Sequence, residues 1–264
     1  MLLWMDDRPV GMFDSGAGGL SVLKAFREIA PNERVLYFAD TAYFPYGPRS
    51  APEVRKRAFA ITHRLLASDV KMVVVACNTA SAAALPDLRE AFDLPFVGMV
   101  PGVKPAAQQS RSGRVAILAT PGTLDGGLFA RVVEDFGRGT VITNVPGTGL
   151  AELVEEGRTG TEQARAAIRS VLATEVRAGA DTVVLGCTHY SFLRDDIAAE
   201  FPAVAIVDTS AAVARRAVSV LEEGGMRAAP GVRGGIDLIV SGDRDAFAGV
   251  MQKLGFEQHA EVHR

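Results

Sequence analysis

Two uninterrupted apolar runs, Met72-Val73-Val74-Val75-Ala76 and Thr182-Val183-Val184-Leu185-Gly186, constrain this chain more than any other feature. Runs rich in β-branched residues belong in parallel strands buried on both faces, and parallel strands require helical crossovers between them. Further strand-like runs occur at Val10–Asp14, Val35–Ala39, Phe96–Val100, Val115–Ala119, Val141–Asn144, Ala205–Asp208 and Ile236–Ser241, with helix-period segments between most of them. That alternation predicts an α/β fold. Ser50 and Glu53 are spaced as a capping box, and Val54, Ala58, Ile61 and Leu65 then mark the buried face of a helix leading into the Val73 strand.

The pattern repeats at an offset of 110 residues. Ala164, Ile168 and Val171 match Val54, Ala58 and Ile61, while Ile206 and Val207 match Phe96 and Val97. This predicts two pseudo-symmetric α/β domains with mainly parallel sheets and an active site in the cleft between them. The strand and helix from Ile236 to Leu254 have no counterpart in the repeat and return to the first unit. The expected domains are therefore 1–98 plus 208–264, discontinuous, and 99–207.

Apolar residues make up 48% of the chain, enough for a proper core, and the formal net charge of −3 offers no footprint for nucleic acid. No run approaches the ~18 apolar residues of a membrane span, and Met1-Leu2-Leu3-Trp4-Met5 is too short for a signal peptide. The expected compartment is the cytoplasm, with thiols reduced. The expected partners are a small-molecule substrate and a second copy of the chain as a homodimer, with neither nucleic acid nor membrane.

The only two cysteines, Cys77 and Cys187, end the two Val-rich runs. Ligands of open α/β sheets gather outside the carboxyl ends of the strands, so both thiols are candidate active-site groups facing one another across the cleft. A thiol of ordinary pKa, about 8.5, serves as base or nucleophile only with help. His189 stands two residues from Cys187, and Asp14 lies beside Cys77 if the first and third strands are neighbours. Asn78, Thr79, Ser81 and Thr188 add polar groups around the thiols, and Thr120 and Thr123 follow the fifth strand.

Other roles stay open from the residues alone. Buried cysteine is a common core residue. A metal held by Cys77, Cys187 and His189 lacks a clear fourth ligand, because His63 falls in a helix and His259 and His263 in the polar tail. Phe13-Asp14-Ser15-Gly16-Ala17-Gly18-Gly19-Leu20-Ser21 nearly matches a dinucleotide fingerprint, with Asp40 where the ribose-binding acid would stand. Asp14 would repel a pyrophosphate, so a small carboxylate beside a reactive group is the better reading of this loop. Tyr43, Phe44 and Tyr46, with Pro45, Gly47 and Pro48, can wall a pocket.

These residues resemble the cofactor-independent glutamate racemases of the aspartate/glutamate racemase superfamily, over nearly the whole chain. The match rests on Asp14-Ser15-Gly16-x-Gly18-Gly19-Leu20-Ser21, Asp40 with Pro45-Tyr46-Gly47, Cys77-Asn78-Thr79-Ala80-Ser81, Ala119-Thr120-x-x-Thr123 and Leu185-Gly186-Cys187-Thr188-His189-Tyr190. The resemblance implies that two cysteines on opposite faces of the α-carbon interconvert L- and D-glutamate, without cofactor or metal, supplying D-glutamate for peptidoglycan. Cys77 would deprotonate D-glutamate and Cys187 L-glutamate, with Asp14 and His189 as their auxiliaries. Asp14, Ser15, Tyr46, Gly47, Asn78, Thr79, Thr123, Thr188 and His189 would hold the substrate, and Glu155 matches a further acidic site residue. No lysine falls in a site loop, so pyridoxal phosphate has no obvious anchor. Ser191, Phe129 and Val145-Pro146 depart from the family pattern. The alternatives are a racemase of another acidic amino acid such as aspartate, and a carboxylate-binding protein without turnover.

Overall fold

The computed structural model describes residues 6–231 and 234–256, and the backbone of a last strand at 260–263. Ten strands form, β1 (Val10–Asp14), β2 (Val35–Ala39), β3 (Met72–Val75), β4 (Phe96–Val97), β5 (Arg114–Ala119), β6 (Val141–Pro146), β7 (Thr182–Gly186), β8 (Ala205–Val207), β9 (Ile236–Val240) and β10 (Ala260–His263). They build a six-stranded sheet ordered β10-β9-β2-β1-β3-β4 and a four-stranded sheet ordered β6-β5-β7-β8. Every pairing is parallel. The order β2-β1-β3-β4 in one sheet recurs as β6-β5-β7-β8 in the other, so the 110-residue repeat is a repeat of topology.

Alternate residues of the central strands supply opposite faces of each sheet. Met12, Met72 and Val74 join one core cluster and Phe13, Val73 and Val75 the other. In the second sheet Leu118 and Leu185 face one way, Ile117 and Val184 the other. Helices cover both faces, as continuous apolar strands require. The helix Ala51–Leu66 starts at the expected capping box, with the Ser50 backbone N–H donating to Glu53 Oε2 at 3.0 Å, and it buries Val54, Ala58, Ile61 and Leu65. Among the described residues, no helix is long and apolar enough to cross a membrane.

Two expectations are corrected. The strand expected over Phe96–Val100 stops at Val97, because the next donor, Met99 N–H, turns to Ser81 Oγ at 2.9 Å instead of extending the ladder. The polar tail contains β10, which pairs with β9 in the register Ala260↔Ile236 to His263↔Ile239; backbone pairing to an edge outweighs low apolar content. His259, expected in that tail, lies outside the described residues.

A buried ionic clasp closes the amino-terminal end of the larger sheet. Lys71 Nζ donates to Glu33 Oε2 and to the Asp6 carbonyl, both at 2.6 Å. Glu33 Oε1 accepts from Arg227 Nε at 3.1 Å and from Ala228 N–H at 2.9 Å.

Candidate active site

Each cysteine lies just past the carboxyl end of a central strand, Cys77 after β3 and Cys187 after β7, and both line one cavity with Ser15, Tyr46, Asn78, Thr79, Thr188 and His189. Cys77 precedes the helix Asn78–Ala91, and Cys187 precedes a 3-10 turn, Thr188–Leu193. Strand-end placement in two related sheets thus brings residues 110 apart to one space.

On the Cys77 side stands Asp14, the last residue of β1, and β1 pairs directly with β3. Asp14 is fully buried. Its Oδ2 accepts from Gly19 N–H at 2.7 Å and from the Thr188 hydroxyl at 3.4 Å, and the Cys77 thiol lies in hydrogen-bonding reach. Burial raises the Asp14 carboxyl above its ordinary range, against the opposing pull of His189. Burial first and the Asp14 charge second push the Cys77 thiol well up, although Ala80 N–H favours its thiolate. Both groups are thus pushed toward their protonated forms.

The Cys187 side carries an imidazole paired with a carboxylate. His189 Nδ1 lies 3.8 Å from Cys187 Sγ, and Nε2 lies 2.8 Å from Glu155 Oε1. Burial alone would lower the imidazole, but hydrogen bonds to Cys187 and Glu155 outweigh it and leave His189 well above its usual value. Gly18 N–H approaches the same Nε2 at 3.2 Å. A nitrogen that donates to Glu155 cannot also accept from Gly18, so the proton on Nε2 decides which contact stands. Phe44 packs on the imidazole with ring centroids 5.4 Å apart.

Three N–H groups of the glycine-rich loop have partners within the protein. Ala17 N–H is taken by Glu155, Gly19 N–H by Asp14, and Gly18 N–H faces His189. These three donors serve the protein's own groups, while Ser15 of the same loop lines the cavity. A Cβ on Gly19 would lie 2.7 Å from Tyr37 Oη and 2.8 Å from Asp14 Cβ, which explains that glycine by close approach. Asp40 is no ribose ligand. Its carboxylate is engaged by Arg57, at 2.9 and 2.6 Å, and by the Tyr46 hydroxyl at 2.5 Å.

Of the expected substrate-holding residues, Ser15, Tyr46, Gly47, Asn78, Thr79, Thr188 and His189 line the cavity. Asp14 and Thr123 sit behind its wall. Thr123 bonds Thr120 at 3.0 Å and Thr79 at 3.4 Å, and Thr120 reaches the cavity in its place. Asn78 is buried, yet neither its Nδ2 nor its Oδ1 has a partner among the described residues. Gly147, Thr148 and Gly149, which the sequence reading passed over, also line the cavity. They follow β6, so the rule that exposed the other loops would have found them.

The profile of the Asp/Glu/Hydantoin racemases matches residues 17–217. The chain belongs to that family. This racemase is 44% identical over 254 residues to the glutamate racemase of Herpetosiphon aurantiacus, covering 96% of this chain and 100% of the relative. It is 50% identical over 221 residues to that of Deinococcus radiodurans, covering 83% and 76%. The crystal structure of the Thermus thermophilus glutamate racemase, in complex with beta-chloro-D-alanine, superposes with a TM-score of 0.86 at 38% identity, over 98% of this chain and 97% of that one. The racemase is thus an isomerase of two-sheet α/β architecture.

Proposed function

We propose that this racemase interconverts L- and D-glutamate by a two-base exchange in which one of Cys77 and Cys187 takes the α-proton and the other delivers a different proton to the opposite face. The observation that carries the reading is that the only two thiols of the chain line one cavity with different partners, a buried carboxyl, Asp14, beside one and an imidazole paired with a carboxylate, His189 with Glu155, beside the other. In the L-to-D direction Cys187 takes the α-proton and Cys77, held as the thiol, gives its own to the opposite face of the carbanion. The Asp14 carboxyl, raised by burial, can then return a proton to Cys77. The D-to-L direction reverses each transfer.

Glutamate as substrate is supported by the relatives, and by the lining itself. No lysine or arginine lines the cavity among the described residues. Charged ends of the ligand would be met by hydroxyls, by loop N–H groups and by the unpartnered amide of Asn78. A buried amide left without partners costs about 1–3 kcal/mol, which a bound carboxylate or ammonium recovers. Positioned acids and bases contribute roughly 10²–10⁴-fold, and dipoles aimed at the developing charge add to this. The D-glutamate formed would feed peptidoglycan synthesis in the cytoplasm.

Incubation with L-glutamate in deuterated water tests the reading. The expected result is D-glutamate carrying α-deuterium; recovery of L-glutamate with neither change would reject it.

A further inference from the structure

We propose that Arg57 is a positioning residue of this racemase, acting from outside the cavity through Asp40 to fix the wall built by Tyr46 and Gly47. The inference rests on the glutamate racemase reading and adds a residue to it.

Arg57 lies on the helix Ala51–Leu66, one turn beyond Val54, and does not line the cavity. Its guanidinium grips Asp40 at both carboxylate oxygens, Nε to Oδ2 at 2.9 Å and Nη2 to Oδ1 at 2.6 Å. It also lies 3.8 Å from the centroid of the Tyr43 ring. Asp40 is fully buried while the arginine side chain is 22% exposed, so the pair runs from near the surface to the interior. A planar fork on a carboxylate fixes direction as well as distance, which an ammonium on a flexible stem does not.

The second acceptor role of Asp40 Oδ2 is toward the cavity. The Tyr46 hydroxyl donates to it at 2.5 Å, and burial and the Asp40 charge keep that phenol protonated. Tyr46 is itself buried in the cavity wall. The next residue, Gly47, presents its carbonyl to Gly122 N–H at 3.1 Å, in the short helix Pro121–Leu124 that follows β5. Arg57, Asp40, Tyr46, Gly47 and Gly122 are thus one connected series from the outer helix to a contact between segments that follow strands of the two sheets. Removal of the fork frees Asp40 to rotate, and the tyrosine that donates to it follows. Among the described residues the hydrogen bonds of Cys77 and Cys187 to other side chains run to Asp14 and His189 and not to this series, so the loss falls on substrate binding.

Steady-state kinetics of Arg57→Met, Arg57→Lys, Tyr46→Phe and the double variant Arg57→Met/Tyr46→Phe test this, beside the wild type. The expected result is a KM for glutamate raised by about tenfold in Arg57→Met with kcat within about threefold of wild type, the signature of lost binding rather than lost proton transfer. Arg57→Lys, which keeps charge without the fork, should recover part of the loss. In the double variant the two effects should overlap, the combined loss being smaller than the product of the single losses. Unchanged KM in both Arg57 variants, a fall confined to kcat, or strictly multiplicative losses would overturn the proposal. If Arg57→Met does not fold, the same split in Arg57→Lys, at unchanged circular dichroism, decides. Wild-type protein that fails to racemise glutamate rejects the functional reading instead, which keeps the two failures apart.

Discussion

Ala17, in the loop after β1, donates its backbone N–H to Glu155 Oε1 at 2.5 Å, joining the first sheet's glycine-rich turn to a carboxylate from the second sheet's side. The same Oε1 meets His189 Nε2 at 2.8 Å. A turn with the form of an anion site is thus filled from within, and the anion it holds orients the imidazole beside Cys187. The glycine-rich turn is a docking surface for Glu155 and His189, supplied by the other half of the molecule.

Replacement of either cysteine by serine should leave the fold intact and lower racemisation by roughly 10³-fold or more, since a hydroxyl is a far weaker base than a thiolate. Circular dichroic monitoring of D-glutamate formation measures it. Full activity in either variant would exclude a two-thiol exchange.

Asp14→Asn should stabilise the protein at pH above the raised Asp14 value while impairing Cys77. A carboxyl raised by burial favours folding when protonated, below its unfolded pKa of about 3.9, and that benefit is lost as pH rises through the folded value. Above that folded value the ionised group opposes folding and the amide does not. A gain of about 1 kcal/mol would raise the melting temperature by roughly 2–4 °C, which calorimetry across a pH series measures as a difference that grows on the alkaline side.

His189 has the same sign and a different window. Its imidazolium contributes stability fully below the unfolded value of about 6.5, and the contribution disappears as pH rises through the elevated folded value. Glu155→Gln removes the charge facing Nε2, so the alkaline limb of melting temperature against pH should move to lower pH. An identical limb in both proteins would mean that Glu155 does not hold the proton on His189.

Gly18→Ala should disable catalysis without unfolding the chain. A Cβ at this position would lie 2.5 Å from Thr188 Oγ1 and 2.7 Å from His189 Cε1, so the loop and the Cys187 turn must move apart. Displacement of a catalytic group by about 1 Å costs on the order of 10²-fold. Activity measured alongside far-ultraviolet dichroism checks this.

Loss of one clasp partner should be felt in stability alone. Glu33→Ala leaves Lys71 buried without its carboxylate, and breaking such a pair costs about 3–5 kcal/mol. Urea unfolding measures it, with kcat expected unchanged wherever the variant is folded.

The elements that carry the thiols were legible because Val73–Val75 and Val183–Leu185 are buried on both faces, and such strands must be apolar throughout. The pairing of Asp14 with Cys77 followed once β1 and β3 proved to be neighbours. What the sequence hid were partnerships made across space by polar groups. Asp40 looked like a ligand for a ribose, because the arginine that claims it stands 17 residues away on a helix whose periodicity reports only its apolar face. The glycine loop looked like an anion site, because Glu155 arrives from a helix 138 residues on. Thr120 and Thr123 are indistinguishable in sequence, and only packing decides which faces the cavity.

The insertion of β9 between β2 and β10 sets an order of completion during synthesis. All strands of the four-stranded sheet have emerged by Val207, whereas the larger sheet, begun at Val10, still lacks Ile236–Val240. Until those residues leave the ribosome, β2 offers an open apolar edge, the kind of surface that invites wrong pairing and chaperone attention. The half of the chain made first is the half that closes last.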